Sequence, residues 1–473
     1  MKKIFIAFIP VFFLAACTKD LTSLNVDPKR PQDVPSSALF TNAQRRLTNT
    51  LTSSNVNLNI FRLIEQQWQE TTYTDESNYD ITTRPIPDRV WDALYRDVIK
   101  NLDETKKKIA VDVKDADVKK NDIAITDIME VYTWYYLLTT YGNVPYSQSL
   151  DVANTFPKYD DAKTVYYDLL TRIDADLAAL NTSAGSFDGA DIIYGGDVAS
   201  WKKFANTLKL KMGMTIADSD NAKAKAVVEA AAPGVFTSND DNAMFSYLTA
   251  PPNTNPVWVD LVQSGRKDFV AASTLVNQMK ALSDPRLSLY FTLNGDSGYS
   301  GGTPGASSSY AAFSKPAVVL TKPDYPALLL SYSETEFFLA EAVERGYAVG
   351  GLAATHYNNA IRASVKYWGA SDANANTYLA RTDVNYLTAS GTYKQKIGTQ
   401  KWIALYNRGW DAWIETRRLD YPQLVAPPTA LSAFPVRLKY PINEQNINGN
   451  NYESAATAIG GDKVETKLFF DKF

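Results

Sequence analysis

Two residue types that build many catalytic and structural sites are almost missing from this 473-residue sequence. It contains one cysteine, Cys17, and one histidine, His356. Zinc sites made of several Cys or His ligands, Cys–His nucleophile pairs and disulfide frameworks are therefore excluded. Because the sequence offers no second histidine or cysteine that could form a catalytic or metal site with His356, we interpret this residue as a packed or surface residue of a helix.

The sequence also has no excess of positive charge. It has 48 Lys and Arg residues and 52 Asp and Glu residues, which gives a formal net charge of −4. Proteins that bind nucleic acids usually carry a basic surface, so this function is disfavoured. The 23 glycines and 22 prolines are too few for a collagen-like or broadly disordered chain. Aromatic residues, by contrast, are abundant, with 28 Tyr, 20 Phe and 9 Trp.

The N-terminus predicts export. After two lysines, residues 4–14 form an apolar run that is too short to span a bilayer, so residues 1–16 are interpreted as a signal peptide. The run ends in LAAC, which resembles a bacterial lipobox. This resemblance implies that cleavage precedes Cys17, which then carries acyl chains such as palmitate, and residues 17–35 form a polar tether. The alternatives are a plain signal peptide with an incidental cysteine, or an uncleaved apolar segment.

Residues 36–473 are predicted to form one mostly α-helical domain, since no convincing linker interrupts them. In several segments apolar residues recur every three or four positions, which is typical of helices with one buried face. Helices are predicted over residues 118–142, 161–181, 198–217, 220–232, 333–346 and 352–368, with Asp161 as one N-cap. The only strand candidates are 317–320 and 434–440.

One segment resembles a tetratricopeptide hairpin. Ser333–Trp368 has the length of such a repeat and its Leu-Ala and Tyr-x-x-Ala placements, and Ser333 with Glu336 predicts a capping box. The segments 118–142 with 161–181, and 198–217 with 220–232, are candidates for divergent copies. The predicted fold is thus a set of tetratricopeptide-like helix pairs.

Three long segments between the helices carry aromatic and polar residues. They are residues 71–89, 250–267 and 291–314, and loops of this length are commonly functional or disordered. Tyr and Trp offer a flat apolar face and a polar tip, which suits sugar rings, and Asn, Asp, Gln and Arg bind ring hydroxyls. The candidate ligand-binding residues are Tyr73, Tyr79, Trp258, Tyr299 and Tyr310. The alternative is that these rings only anchor the loops.

Several motifs occur together in one order along the chain. They are the lipobox at Cys17, Tyr141–Tyr146, the Glu-rich helix 333–345, Trp402, Trp410–Trp413, Arg417–Asp420, Arg437–Pro441 and Asn443–Asn446. In this order and spacing the sequence resembles the SusD/RagB group of outer-membrane nutrient-binding lipoproteins.

The resemblance implies helix pairs that support a loop-rich half. It also implies a lipid-anchored protein exposed on the outer membrane, which captures an oligosaccharide or a peptide and works with a TonB-dependent, SusC-like transporter. A tetratricopeptide-like surface scaffold that binds a protein partner remains the alternative function.

No motif predicts catalysis, a cofactor or a metal. A glycosidase needs two carboxylates at a defined separation, and the sequence spacing selects no pair among 52 acidic residues. The oxygen-rich segments 75–80 and 239–242 lack the glycine and terminal glutamate of an EF-hand loop. We therefore expect a protein that is not an enzyme and has no cofactor.

Overall fold

The structure is a computed structural model that describes residues 33–473. The predicted signal peptide, Cys17 and residues 18–32 of the tether lie outside the described residues. Helices make up most of residues 33–473, so the predicted mostly α-helical fold is confirmed. None of the helices in this range is both long and apolar enough to cross a membrane.

The first half of the described chain is built mainly from helices. Its helices are α1 (Ser36–Thr52), α2 (Phe61–Ile64), α3 (Ile86–Asp92), α4 (Lys100–Asp112), α5 (Ala116–Tyr141), α6 (Ala162–Ala179), α7 (Val198–Thr215) and α8 (Asn221–Ala231). A π-helical segment, Ala93–Ile99, joins α3 to α4. Helix α5 packs against α6 and α7 against α8, as the sequence predicts. Asp161 caps α6 by accepting a hydrogen bond of 2.8 Å from the Thr164 amide.

The second half adds shorter helices between long irregular segments. They are α9 (Pro256–Trp258), α10 (Ser273–Ala281), α11 (Leu287–Tyr290), α12 (Tyr332–Glu344), α13 (Ala353–Tyr367), α14 (Asp372–Leu379), α15 (Tyr393–Ala404), α16 (Gly409–Leu419), α17 (Ile442–Ile447) and α18 (Gly449–Ala458). Helices α12 and α13 form the predicted hairpin. Ala340 and Ala360 are fully buried there, and such small residues let two helices approach closely.

The start of α12 differs from the prediction. Its N-cap is Ser331, which accepts a hydrogen bond of 3.2 Å from the Glu334 amide. The hydroxyl of Ser333 instead donates to the Ala360 carbonyl at 2.8 Å, which ties α12 to α13. Glu336 bonds to His356 on α13. The predicted capping box is therefore wrong, because both of its side chains are used between the helices.

Only short strands occur among the described residues. Strand β1 (Trp68–Glu70) pairs antiparallel with β3 (Phe269–Ala271), and β2 (Ala243–Phe245) pairs with β4 (Ala327–Leu330). Both strand predictions are wrong. Residues 318–321 form a 3₁₀ turn that buries only Leu320. Residues 434–440 do not pair with another strand, because their backbone amides donate to isolated carbonyls, such as that of Val464, and not to a continuous row of them.

Two hydrophobic clusters form the core. The first surrounds α5, which is buried on every side from Ile128 to Tyr141, and the second surrounds α10, α13 and α15. Helices α12 and α16 contribute to both clusters, since Phe338 lies in the first and Phe337 in the second. The four tryptophans at helical spacing are all buried, as predicted: Trp134, Trp201, Trp402 and Trp413.

Candidate functional site

The short β1–β3 pair brings two of the long loops together. The Thr71 amide, just after β1, donates to the Asp268 carbonyl, and the Ser308 amide donates to the Thr71 carbonyl, each at 2.8 Å. The Thr71 hydroxyl also donates to the Lys267 carbonyl at 2.7 Å. The loops 71–89 and 291–314 and the end of segment 250–267 therefore meet at one edge of this pair.

Two of the predicted ligand-binding tyrosines lie at this edge. Tyr73 is 65% exposed, and Tyr310 is partly exposed. The ammonium groups of Lys267 and Lys315 lie 5.7 and 5.2 Å from the centre of the Tyr310 ring, within cation–π range. Such contacts hold the ring in place while part of it faces solvent. We call Tyr73, Arg266, Lys267, Tyr310 and Lys315 the tyrosine surface.

A polar cleft of about 230 Å³ adjoins Tyr73. Arg266 pairs with Asp268 across its rim, and the side chain of Asp260 accepts hydrogen bonds of 3.1 and 3.0 Å from the amide and hydroxyl of Ser54. Arg84 reaches the cleft from the loop after Tyr73. The cleft thus combines fixed donors and acceptors beside an exposed aromatic ring, an arrangement that suits ring hydroxyls.

Two buried glutamates lie beneath this edge. Glu70 on β1 accepts hydrogen bonds from the amide and hydroxyl of Ser77 at 2.9 and 2.8 Å, and Arg84 pairs with Glu76 at 3.0 Å. Burial, together with the adjacent Glu76 carboxyl, raises the pKa of Glu70 to about 9. Glu70 is therefore held as a neutral acid whose bonds to Ser77 fix the turn that follows Tyr73.

The other three candidate residues do not lie on the tyrosine surface. Tyr79 is only 3% exposed, and its ring packs edge-on against Phe434 at 6.4 Å, which favours the loop-anchoring alternative for this residue. Tyr299 packs partly against the second core cluster, and Trp258 is half-buried in α9. Direct ligand contact by these three residues stays a prediction.

The basic residues of the tyrosine surface were missed by sequence reasoning. Arg266 and Lys267 close the 250–267 segment, and Lys315 follows the 291–314 loop, but no local spacing relates them to Tyr310. A basic pair just before a strand is the only sequence signal. This basic pair can be assigned to the tyrosine surface only when the strand pairing is known.

His356 is a packed helix residue, as interpreted from the sequence. Its Nδ1 lies 2.7 Å from the Glu336 carboxylate and its Nε2 lies 3.1 Å from the Gly350 carbonyl. Burial lowers its pKa, but these hydrogen bonds outweigh burial and raise it overall. Within residues 33–473, no group of three or more His, Cys, Asp or Glu side chains is arranged to hold a metal ion.

Comparison with known proteins identifies close structural relatives. Residues 28–441 match a SusD-like family described as starch-binding and associating with the outer membrane. The chain resembles a solved chitin-binding protein (TM-score 0.81, 28% identity, covering 93% of this chain and 100% of that one). It also resembles a chitin-binding SusD homologue from Flavobacterium johnsoniae (TM-score 0.79, 25% identity, covering 92% of this chain and 98% of that one). A SusD homologue from Bacteroides uniformis is similar as well (TM-score 0.78, 25% identity, covering 92% of this chain and 99% of that one). No curated protein matches the sequence.

Proposed function

This chain belongs to the SusD-like family, and on that premise we propose that it binds an oligosaccharide at the outer membrane without transforming it. The observation that carries the proposal is that the exposed Tyr73 adjoins the polar cleft and that Tyr310 lies in the loop hydrogen-bonded to the same edge of the β1–β3 pair. Aromatic faces bind the C–H groups of a sugar ring while the paired Arg266 and Asp268 bind hydroxyls. The chitin-binding description of two similar structures favours a glycan over a peptide.

We further propose that the captured glycan passes to a TonB-dependent, SusC-like transporter, and that acyl chains on Cys17 hold the protein at the membrane. Family membership supports both steps. A ligand that must be handed on should bind weakly to moderately. A surface of two tyrosines and a shallow cleft fits this requirement better than an enclosed pocket does.

Calorimetric titration of a soluble form that starts after Cys17 tests the proposal. The ligands are chito-oligosaccharides, malto-oligosaccharides and a mixed peptide pool. We expect saturable binding of a glycan, weakened about tenfold, or about 1.4 kcal/mol, by Tyr73→Ala and by Tyr310→Ala. The matched control is Phe156→Ala, which removes another exposed ring, one that does not belong to the tyrosine surface.

The alternatives give different results. Binding of peptides alone would indicate peptide capture, and no binding from either pool together with a stable protein complex would indicate a scaffold. Product formation that one carboxylate change abolishes would indicate an enzyme. Trp258→Ala and Tyr299→Ala test the two half-buried candidates in the same titration.

A further inference from the structure

A second cavity, of about 450 Å³, lies between α10, α15 and the segment that follows α16. No residue of the tyrosine surface lines it, and its volume falls in the range of small-ligand sites. It is larger than the 230 Å³ cleft beside Tyr73. The segment 389–391 forms part of its wall.

The walls of this cavity carry neutral hydrogen-bonding groups. The Gln395 amide donates to the Tyr421 hydroxyl at 3.0 Å, which orients both side chains. The side chains of Gln278, Thr399 and Gln423 also line the cavity, and none of them forms a hydrogen bond with another group of residues 33–473. These amides and this hydroxyl are therefore free to bind a ligand.

Two charged side chains, Asp383 and Lys396, line the cavity, and both already have contacts within the protein. Asp383 pairs with Arg381 at 2.7 Å. The Lys396 ammonium donates to the Tyr386 carbonyl at 2.8 Å and lies 5.1 Å from the centre of the Tyr386 ring. Asp383 is thus paired with a cation, whereas Lys396 is held by a neutral carbonyl and an aromatic ring and has no carboxylate partner among residues 33–473. The other polar groups of the walls are amides and hydroxyls, which suit a neutral ligand.

Apolar surface completes the lining. Leu282 and Tyr357 are buried at the cavity, and the Tyr357 hydroxyl donates to the Val384 carbonyl at 3.0 Å, which holds the ring. Pro422 adds a rigid apolar face. The partly exposed face of Pro422 next to neutral amides matches a pyranose ring, which carries C–H groups on its faces and hydroxyls or an acetamide at its edge.

The walls are also held firmly against each other. Gly398 of α15 lies so close to the following segment that a Cβ there would be 2.7 Å from the Tyr421 carbonyl oxygen. The contact brings α15 and the 421–423 segment together at backbone distance. A cavity whose walls are held before binding loses less entropy when it binds.

We propose that this cavity is a second binding site, which takes a short neutral glycan independently of the tyrosine surface. A long glycan could then be held at two places on one molecule. The proposal rests on the cavity alone, so it holds whether or not Tyr73 and Tyr310 contact a ligand.

Saturation-transfer NMR tests the proposal with N,N′-diacetylchitobiose and maltose as probes. The background is the soluble Tyr73→Ala/Tyr310→Ala variant, in which the tyrosine surface is removed. We expect saturable binding of at least one probe in this background. Adding Ser390→Trp, which places a large side chain at the cavity wall, should weaken that binding at least tenfold.

Leu387→Trp is the matched control, because Leu387 is exposed on the same loop but does not line the cavity. It should leave binding unchanged, and thermal melting should show that both tryptophan variants fold. Thr399→Val, which removes one hydroxyl at constant shape, should weaken binding several-fold. No binding of either probe in the double-variant background, or equal binding with Ser390→Trp, would overturn the proposal. Loss of all glycan binding in that background would leave the proposed function standing and refute only the second site.

Discussion

At the scale of single residues, burial decides whether an acid is charged. Glu70 and Glu76 are both buried next to each other, and burial raises the pKa of each. For Glu70 the value is about 9, compared with 4.5 for the free side chain. Between these two pH values the folded protein holds a proton that the unfolded chain has lost. Raising the pH through this window therefore destabilises the fold.

We predict that Glu70→Gln makes stability less dependent on pH. An amide cannot ionise, so the variant should avoid a loss of up to about 1.4 kcal/mol per pH unit above pH 5. Urea unfolding at pH 5 and pH 8 measures this loss for the variant and the wild type. Glu453→Gln, on the exposed face of α18, is the control and should keep the wild-type slope. Parallel slopes for Glu70→Gln and wild type would contradict the pKa assignment.

A second residue-scale feature is a buried cluster of charges between α7, α12 and α16. The Lys211 ammonium bonds to Glu334 at 2.8 Å and also pairs with Asp411, and Arg408 bonds to Glu334 at 2.8 Å and to Asp411 at 2.7 Å. Every charge has a partner of opposite sign. The cluster ties three helices together without leaving an uncompensated ion.

Removing one anion from this cluster should destabilise the protein strongly. Glu334→Gln leaves two buried cations with a single carboxylate, and we expect a loss of about 3–5 kcal/mol in the free energy of unfolding. Chemical denaturation measures this loss. The exposed Glu453→Gln should change stability by less than about 0.5 kcal/mol. Equal stability of Glu334→Gln and wild type would mean that the cluster contributes little.

At the scale of elements, helix packing overrides helix propensity. Gly398 lies inside α15, where alanine would favour the helix by about 1 kcal/mol. However, a Cβ at this position would lie 2.7 Å from the carbonyl oxygen and 2.9 Å from the Cβ of Tyr421. The glycine therefore allows α15 to pack against the segment after α16.

We predict that Gly398→Ala destabilises the protein by about 1–3 kcal/mol, because the backbone on one side must move. Gly449→Ala is the matched control. This glycine begins α18, and no atom lies within 4 Å of the place that a Cβ would take there, so the substitution should be neutral or slightly stabilising. Thermal melting of the two variants measures the difference. A melting temperature of Gly398→Ala at or above the wild-type value would refute the packing argument.

At the scale of the whole molecule, the helical body carries the loops, and the predicted lipid anchor at Cys17 lies outside the described residues. Helices α12 and α16 belong to both hydrophobic clusters and thereby connect them. The short β1–β3 pair then positions the tyrosine surface on this body. That residues 36–473 form one domain stays a prediction.

The predicted lipid anchor on Cys17 can be tested directly. When the full chain is expressed in a Gram-negative cell with radiolabelled palmitate, the wild type should carry label and fractionate with the outer membrane. Cys17→Ser should lose both, because it removes the only thiol. Ser23→Ala, in the predicted tether, is the control and should behave like wild type. A wild-type chain without label would contradict the lipid anchor.

The sequence by itself determined the helical body. The 3.6-residue spacing of apolar residues and the cap at Asp161 act within one helix, so they predicted α5, α6 and α7 and the buried tryptophans correctly. The α12 cap was assigned to Ser333 instead of Ser331, because sequence spacing does not show that the Ser333 hydroxyl bonds across to α13.

Only the tertiary structure decided that the loops of Tyr73 and Tyr310 meet. Tyr73 and Tyr310 are far apart in the chain, and each strand that joins their loops has only three residues, too few for a recognisable pattern. The cavity between α10 and α15 depends on helix packing in the same way. Local spacing predicts how a segment folds, whereas a site formed by distant loops depends on contacts that local spacing does not encode.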